Sequence, residues 1–300
     1  MHACGHDLHM ASAIGAARLL SQRKSEFKGK VAIWFQPGEE GHGGADLMIE
    51  EGALEITGEL PVAAYGLHVF TSIPLGLFTT KPGALMASAG GVVVELTGQG
   101  GHGSMPWLSK DPISAAVEVI SSLQQFVTKQ FSALDPVILN VGWFQAGDRS
   151  TTNVIPETAS FGATIRTFSK QSYEQVIQTL PGFIESIANA HQVRANVSFD
   201  PASKVVINDS EKFELSKQVI LDCFGADRFL EMTEPITGGE DFSSILEHVP
   251  GTFAFLGACP KDLDPETAPT NHSSKALFDD SVVADGAAWL TAMALHHLKR

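Results

Sequence analysis

Early in the chain, apolar positions recur first at helical spacing and then in short continuous runs. Leu8 to Leu20 is rich in Ala, Leu and Met and follows Asp7, a suitable N-cap, which predicts a helix. Val31-Ala32-Ile33-Trp34-Phe35 is an unbroken apolar run ending at Gln36-Pro37-Gly38, which predicts a buried strand entering a loop. A second helix is expected over Ala45 to Glu51, stopping at Gly52, and a second strand over Val62 to Val69. Alternation of this kind predicts an α/β layer with a mostly parallel sheet flanked by helices.

From about Gly90 the rhythm changes. Strands are expected at Val92–Leu96, Val137–Phe144, Ala159–Phe168 and Arg194–Phe199, with helices at Ile113–Phe131 and Tyr173–His191. This β-α-β-β-α-β order is that of a ferredoxin-like α+β domain. After Pro201 the α/β pattern resumes. Helices are expected at Glu211–Phe224 and Asp241–His248 around a strand at Thr252–Leu256, then a final amphipathic helix over Ser281–Leu298. One domain inserted in another is the resulting expectation: residues 1–87 and 202–300 form the first, and 88–201 the second. There is no internal repeat and no low-complexity tract.

Three hundred residues with 44% hydrophobic content can fill one large or two modest cores. The 20 basic and 34 acidic residues give a formal charge of −14, and no Lys/Arg block stands out, which argues against nucleic acid as a partner. Cys4, Cys223 and Cys259 are too few and odd in number for a disulfide scaffold and suit a reducing, cytoplasmic setting. No apolar stretch approaches the roughly 18 residues of a membrane span, and no secretory signal pattern is visible.

Four short segments carry candidate chemistry. In His2-Ala3-Cys4-Gly5-His6-Asp7, a thiol and an imidazole lie two positions apart, so in extended backbone both face one centre; a structural turn is the alternative. Glu39-Glu40 follows the expected strand, where α/β folds place ligand sites. One carboxylate could hold a metal while its neighbour serves as general base, or both could be solvated loop acids. His68 ends another expected strand, as a ligand or a satisfied core histidine, and His272 lies in a polar loop where a surface position is equally open.

Taken in order, the stretches MHACGHDLHMA, QPGEEGHGGADLMIEEGAL, YGLHV, GGHGSMP, TNVIPETASFGATIRT, GGEDFS and NHSSKALFDD resemble the metal-dependent amidohydrolases that include aminoacylases, hippurate hydrolases, auxin-conjugate hydrolases and N-acetyl-diaminopimelate deacetylases. The resemblance runs from the first residue almost to the last. It implies a di-metal, aminopeptidase-like catalytic domain with an inserted ferredoxin-like lid. It also implies that Cys4, His6, Glu40, His68 and His272 hold two divalent ions, Mn²⁺ or Zn²⁺, with Co²⁺ or Ni²⁺ also compatible. Glu39 becomes the general base, and Asp7 a partner orienting a ligand imidazole. His102 matches a lid histidine completing the active site. Asn153 and Arg166 match contacts to substrate polar groups, and Gly238 and Gly239 line the substrate site without direct catalysis. His9 has no assigned role. The activity implied is hydrolysis of the amide bond of N-acyl amino acids, in a homodimer formed through the lid.

Such relatives carry a substantial stretch before the first motif, so this sequence is expected to lack early elements of the catalytic domain. That expectation motivates one alternative, a non-catalytic, dimerising or ligand-binding remnant; a dipeptidase or carboxypeptidase of the same family is a second alternative. A metal-dependent phosphatase or nuclease is disfavoured by the acidic balance and by the lack of a phosphate-cradling loop.

Overall fold

A computed structural model describes residues 1–200 and 203–298. Its first half runs α1 (His6–Gln22), α2 (Gly44–Glu50), β1 (Ala64–Phe70), β2 (Phe78–Thr80), β3 (Gly83–Met86), β4 (Gly90–Thr97), β5 (Gly101–His102), α3 (Pro112–Gln130) and β6 (Val137–Ala146). There follow β7 (Val154–Ile155), β8 (Thr158–Thr167), α4 (Lys170–Ala190), β9 (Arg194–Phe199), β10 (Val206–Asn208), α5 (Ser210–Phe224), β11 (Phe229–Glu231), α6 (Phe242–Leu246), β12 (Gly251–Gly257) and α7 (Val282–Leu298).

The sheet that positions the site has the order β1-β12-β2-β11. β1 and β12 run parallel in register from Ala64 opposite Gly251 to Phe70 opposite Gly257. β2 is antiparallel to β12 and parallel to β11, so the sheet is mixed. Every residue of β12 is buried, as expected of a central strand covered on both faces. On one face Leu67, Val69, Phe78, Ala254 and Leu256 pack with Trp289 and Met293 of α7. On the other, Phe253 and Phe255 meet Leu85, Met86 and Val206. α1 lies along α7 and buries Leu8, Ser12, Ala16 and Leu20, the i, i+4 row of one helix face.

One expected strand does not form. Val31–Phe35 is irregular, with Val31 38% and Phe35 50% exposed, and among the described residues no strand pairs with it. An apolar run supplies side chains for burial but not the neighbouring backbone that a ladder needs. Conversely, β2, β3, β10 and β11 are only three or four residues long, too short to show a period in the sequence.

A second sheet has the order β6-β8-β4-β9 with every ladder antiparallel. Its strands and the helices α3 and α4 succeed one another as β-α-β-β-α-β. Val92, Val94 and Leu96 alternate inward from β4 and meet Val119 and Leu123 of α3 and Leu180 and Ile184 of α4. In sequence, this segment is bracketed by β3 and β10, which pair with each other antiparallel. The boundary expected between residues 201 and 202 lies outside the described residues. The molecule is an α/β structure, and no described helix is long and apolar enough to cross a membrane.

Candidate metal centre

The start of α1, the loop before α2, the end of β1 and the loop before α7 converge at one place. His68 lies near the carboxyl end of β1, the edge of a parallel pair where α/β folds build sites, and is 7% exposed. Gly5 caps α1 with φ 76°, a left-handed conformation that turns the chain between Cys4 and His6. A Cβ at Gly5 would lie 2.4 Å from Val69 Cγ2, so glycine also lets the α1 start press against β1 beside His68. Gly5→Ala combines that overlap with a left-handed cost of about 1–2 kcal/mol. It is expected to lower Tm and the metal bound per chain together; a variant normal in both would show that this turn does not position the ligands.

Cys4 is the centre of the cluster. Its Sγ lies 3.0 Å from His272 Nε2 and 3.4 Å from His68 Nε2. Glu40 Oε1 is 3.1 Å from His272 Nε2 and 3.8 Å from His6 Nε2, and Glu39 Oε2 is 3.9 Å from His6 Nε2. Donor atoms of Cys4, His6 and His68 lie within 4.8 Å of one another, as do those of Cys4, Glu40 and His272, so the thiol belongs to two overlapping sets. His6, Glu39 and Glu40 make a further set, and Glu39 joins Glu240 and Asp241 in another. The five side chains expected as ligands are thus together, with Glu39 beside them.

Their surroundings fix their orientation. His68 Nδ1 lies 2.9 Å from the Val69 carbonyl, which assigns the ring proton to Nδ1 and leaves the Nε2 lone pair toward Cys4. Asn271 Nδ2 donates to Val69 O at 2.9 Å and to Cys4 Sγ at 3.7 Å, while its Oδ1 accepts from Thr71 N at 3.1 Å. His272 itself has φ 70° and donates its backbone N–H to Ala3 O at 2.7 Å. His9, for which the sequence offered no role, accepts from Val69 N at 2.9 Å and packs edge-on against His68, ring centroids 4.6 Å apart. Asp7, expected to orient an imidazole, is exposed and bonds to none among the described residues. A backbone carbonyl performs that task for His68.

Electrostatics test whether these groups suit cations. Burial pushes the Cys4 thiol up to about 12, with Glu40, Glu39 and Glu240 adding to the shift and the Asn271 hydrogen bond opposing it. Burial holds His68 down at about 4, hence neutral, the form that ligates. Glu39 rises to about 7 through burial first and then through Glu40 and Asp241. Glu240 is pushed well above the usual carboxylate range by burial and by Glu39. Thiol, imidazole and carboxylate donors crowded so that they resist ionising are relieved by bound cations, and the residues present fit two divalent ions.

The residues expected to meet substrate have these surroundings. His102 on β5 is exposed, and its Nδ1 accepts from Ser104 N at 3.2 Å and pairs with Ser104 Oγ at 2.9 Å. Its partner across the β5–β7 ladder is Val154, and the preceding residue, Asn153, accepts from Gly103 N through its carbonyl at 2.8 Å. Arg166 is half-buried in a cleft of about 460 Å³ on the second sheet, with Nη1 donating to Ile165 O at 2.8 Å and Gly90 O at 3.3 Å. Gly238 and Gly239 face the β3 end; a Cβ on Gly239 would meet Ala89 Cβ at 2.2 Å. The ion pairs and hydrogen bonds of the Cys4 cluster include none of these residues among those described. Glu240 and Asp241 do reach Glu39, although the sequence showed them only inside a glycine-led segment that also fits an ordinary helix cap.

The chain is similar to known proteins over nearly its whole length. The family described as Peptidase family M20/M25/M40 matches residues 1–296. The chain belongs to that family. Its members are metal-dependent amidohydrolases and peptidases, and the chain is a hydrolase of this kind. It is 35% identical over 302 residues to IAA-amino acid hydrolase ILR1-like 4 of Arabidopsis thaliana, covering 99% of this chain and 67% of that one. It is 38% identical over 259 residues to N-acetyl-L-cysteine deacetylase of Bacillus subtilis, covering 86% and 60%. The chain therefore spans roughly two thirds of these relatives' length. Among solved structures, the Bacillus subtilis YXEP protein, a dinuclear metal-binding peptidase of the M20 family, superimposes with TM-score 0.80 at 30% identity, covering 99% of this chain and 73% of that one. Two divalent ions per site agree with that neighbour and with the paired donor sets centred on Cys4.

Proposed function

We propose that the protein hydrolyses the amide bond of N-acyl amino acids, with Glu39 as general base and Cys4, His6, Glu40, His68 and His272 holding Mn²⁺ or Zn²⁺. The observation that carries this reading is the position of Glu39: next in sequence to a ligand carboxylate, half-buried, and 3.9 Å from His6 Nε2 at the margin of the donor set. Divalent ions held there would supply Lewis acidity toward the carbonyl and lower the pKa of water toward neutrality. Glu39 takes the proton released as the water oxygen bonds to the carbonyl carbon, then delivers it to the amide nitrogen as the C–N bond breaks. The products are a carboxylic acid and an amino acid. A plant amino-acid-conjugate hydrolase and a bacterial N-acetylcysteine deacetylase among the relatives favour this substrate class over longer peptides.

Substrate binding is assigned to the second sheet, read as a ferredoxin-like lid over 88–201 and as the dimerisation surface. His102 and Asn153, on the two sides of one ribbon, would hydrogen-bond the polar atoms around the scissile carbonyl, with Gly238 and Gly239, beside Met86 and Ala89, lining the substrate site. Arg166 makes no ion pair with a carboxylate among the described residues, and its cleft also holds Asn140, Trp143 and Asp200. An unpaired guanidinium there suits the free α-carboxylate of an N-acyl amino acid. A panel of acetyl-, benzoyl- and longer acyl-amino acids, each with its carboxamide counterpart, tests the reading. Free acids should be cleaved at least tenfold faster than carboxamides, and Arg166→Leu should erase that preference by raising KM for the acids alone. Equal rates on both forms would remove Arg166 from the substrate site, and no cleavage of any amide would remove the function.

A further inference from the structure

The loop that carries Glu39 and Glu40 has little of its own to hold it. Gly38, Gly41 and Gly43 all take left-handed φ values, 70°, 80° and 64°. The backbone bonds inside it are Gly41 N to Glu39 O at 2.6 Å, and His42 N and Gly44 N to Gly38 O at 3.1 and 3.4 Å. Glycines accept this path, and they also make it soft. Yet a general base must be held close to its working geometry, because small misplacements of reacting groups cost large factors in rate.

Asp241 spans the two ends of this loop. Its Oδ1 accepts from Gln36 Nε2 at 2.5 Å, and its Oδ2 accepts from Ala45 N at 3.1 Å, so one carboxylate closes the ten residues 36–45 into a ring. Both Asp241 and Ala45 are buried, at 5% and 0% exposure. Asp241 stands at the N-cap of α6 but makes no side-chain cap bond there; Glu240 Oε1 accepts from Phe242 N at 3.0 Å instead. The carboxylate therefore bonds both ends of the loop, beside a contact with the Glu240 carboxyl, and not the amides of its own helix. We infer that Asp241, paired with Gln36, is a positioning residue that tethers the Glu39–Glu40 loop to α6 and so sets where the general base stands.

This inference rests on the amidohydrolase reading for its kinetic consequence, but the tether itself can be measured without turnover. In Asp241→Ala both bonds are lost, and the Ala45 amide and the 37–44 amides are expected to exchange hydrogen at least tenfold faster, while β1 and β12 amides stay as they are. On N-acetyl amino acids, kcat per metal-loaded chain should fall about thirtyfold or more with KM within twofold, since the lesion misplaces a base and not a substrate contact. Asp241→Asn should keep both kcat and exchange within about threefold of the parent, because a flipped Gln36 amide can accept from the new Nδ2 while Oδ1 still accepts from Ala45 N. Gln36→Leu should lie between the two. If Asp241→Ala is folded by circular dichroism and Tm yet leaves loop exchange unchanged, the tether is overturned. It is overturned equally if Asp241→Asn is as damaged as Asp241→Ala in exchange. If the loop loosens as expected but the parent protein cleaves no amide, the tether stands and the proposed function fails.

Discussion

Glu39→Gln is expected to lower turnover of N-acyl amino acids by about a hundred- to ten-thousand-fold, the range that a positioned general base contributes, while the protein keeps two ions per chain. Glutamine keeps the shape of glutamate and can still receive a hydrogen bond, but it cannot carry a proton from water to the departing amine. The neighbouring carboxylate should behave in the opposite way. Glu40 Oε1 lies 3.1 Å from His272 Nε2 and belongs to the set with Cys4, so Glu40→Gln should lose metal first and activity as a consequence. Metal analysis of both variants beside single-turnover rates separates the two roles. A Glu39→Gln protein that turns over within tenfold of the parent would strip Glu39 of its assignment. So would one that loses its ions, since the fault would then lie in binding.

The parts of this structure that the sequence disclosed are those where a side-chain pattern and the backbone agree. The helices α1, α3, α4, α5 and α7 are long enough for their apolar faces to repeat, and β9 runs over Arg194–Phe199 as its alternation indicates. What a chain pattern cannot show is who pairs with whom. Val31–Phe35 has the composition of a strand and lacks a ladder, whereas Phe78–Thr80 is a strand because β12 and β11 flank it. The same division holds at the metal centre. That Cys4, His6, Glu39, Glu40, His68 and His272 come together was indicated by the family resemblance of the motifs that carry them, each residue alone leaving a structural reading open. Asn271, His9, Gln36 and Asp241 were not legible, since amides, a carboxylate and a buried imidazole act here through groups far away in sequence. Asp241 was hidden further by its place at a helix start, where an aspartate ordinarily needs no other reason.

Removing the ions should cost the protein stability as well as activity. The cluster joins segments 64 and 268 positions apart from Cys4, and among the described residues no disulfide connects them. It also collects Glu39, Glu40, Glu240 and Asp241 close together, where burial and mutual repulsion already raise Glu39 and Glu240 above ordinary carboxylates. Cations answer both problems, by bridging the segments and by offsetting the negative charge. An ion present at a hundred times its Kd stabilises the native state by about 2.7 kcal/mol, which for a domain of this size is a rise of roughly 5–10 °C in Tm. Dialysis against a chelator should therefore abolish hydrolysis and lower Tm by at least that much, and stoichiometric Mn²⁺ or Zn²⁺ should restore both. His68→Ala should show the lowered Tm without a response to added metal, because the imidazole aimed at Cys4 is gone. A stripped protein, free of metal by elemental analysis, that keeps its Tm and its turnover would mean that the five side chains are together for some reason other than holding ions.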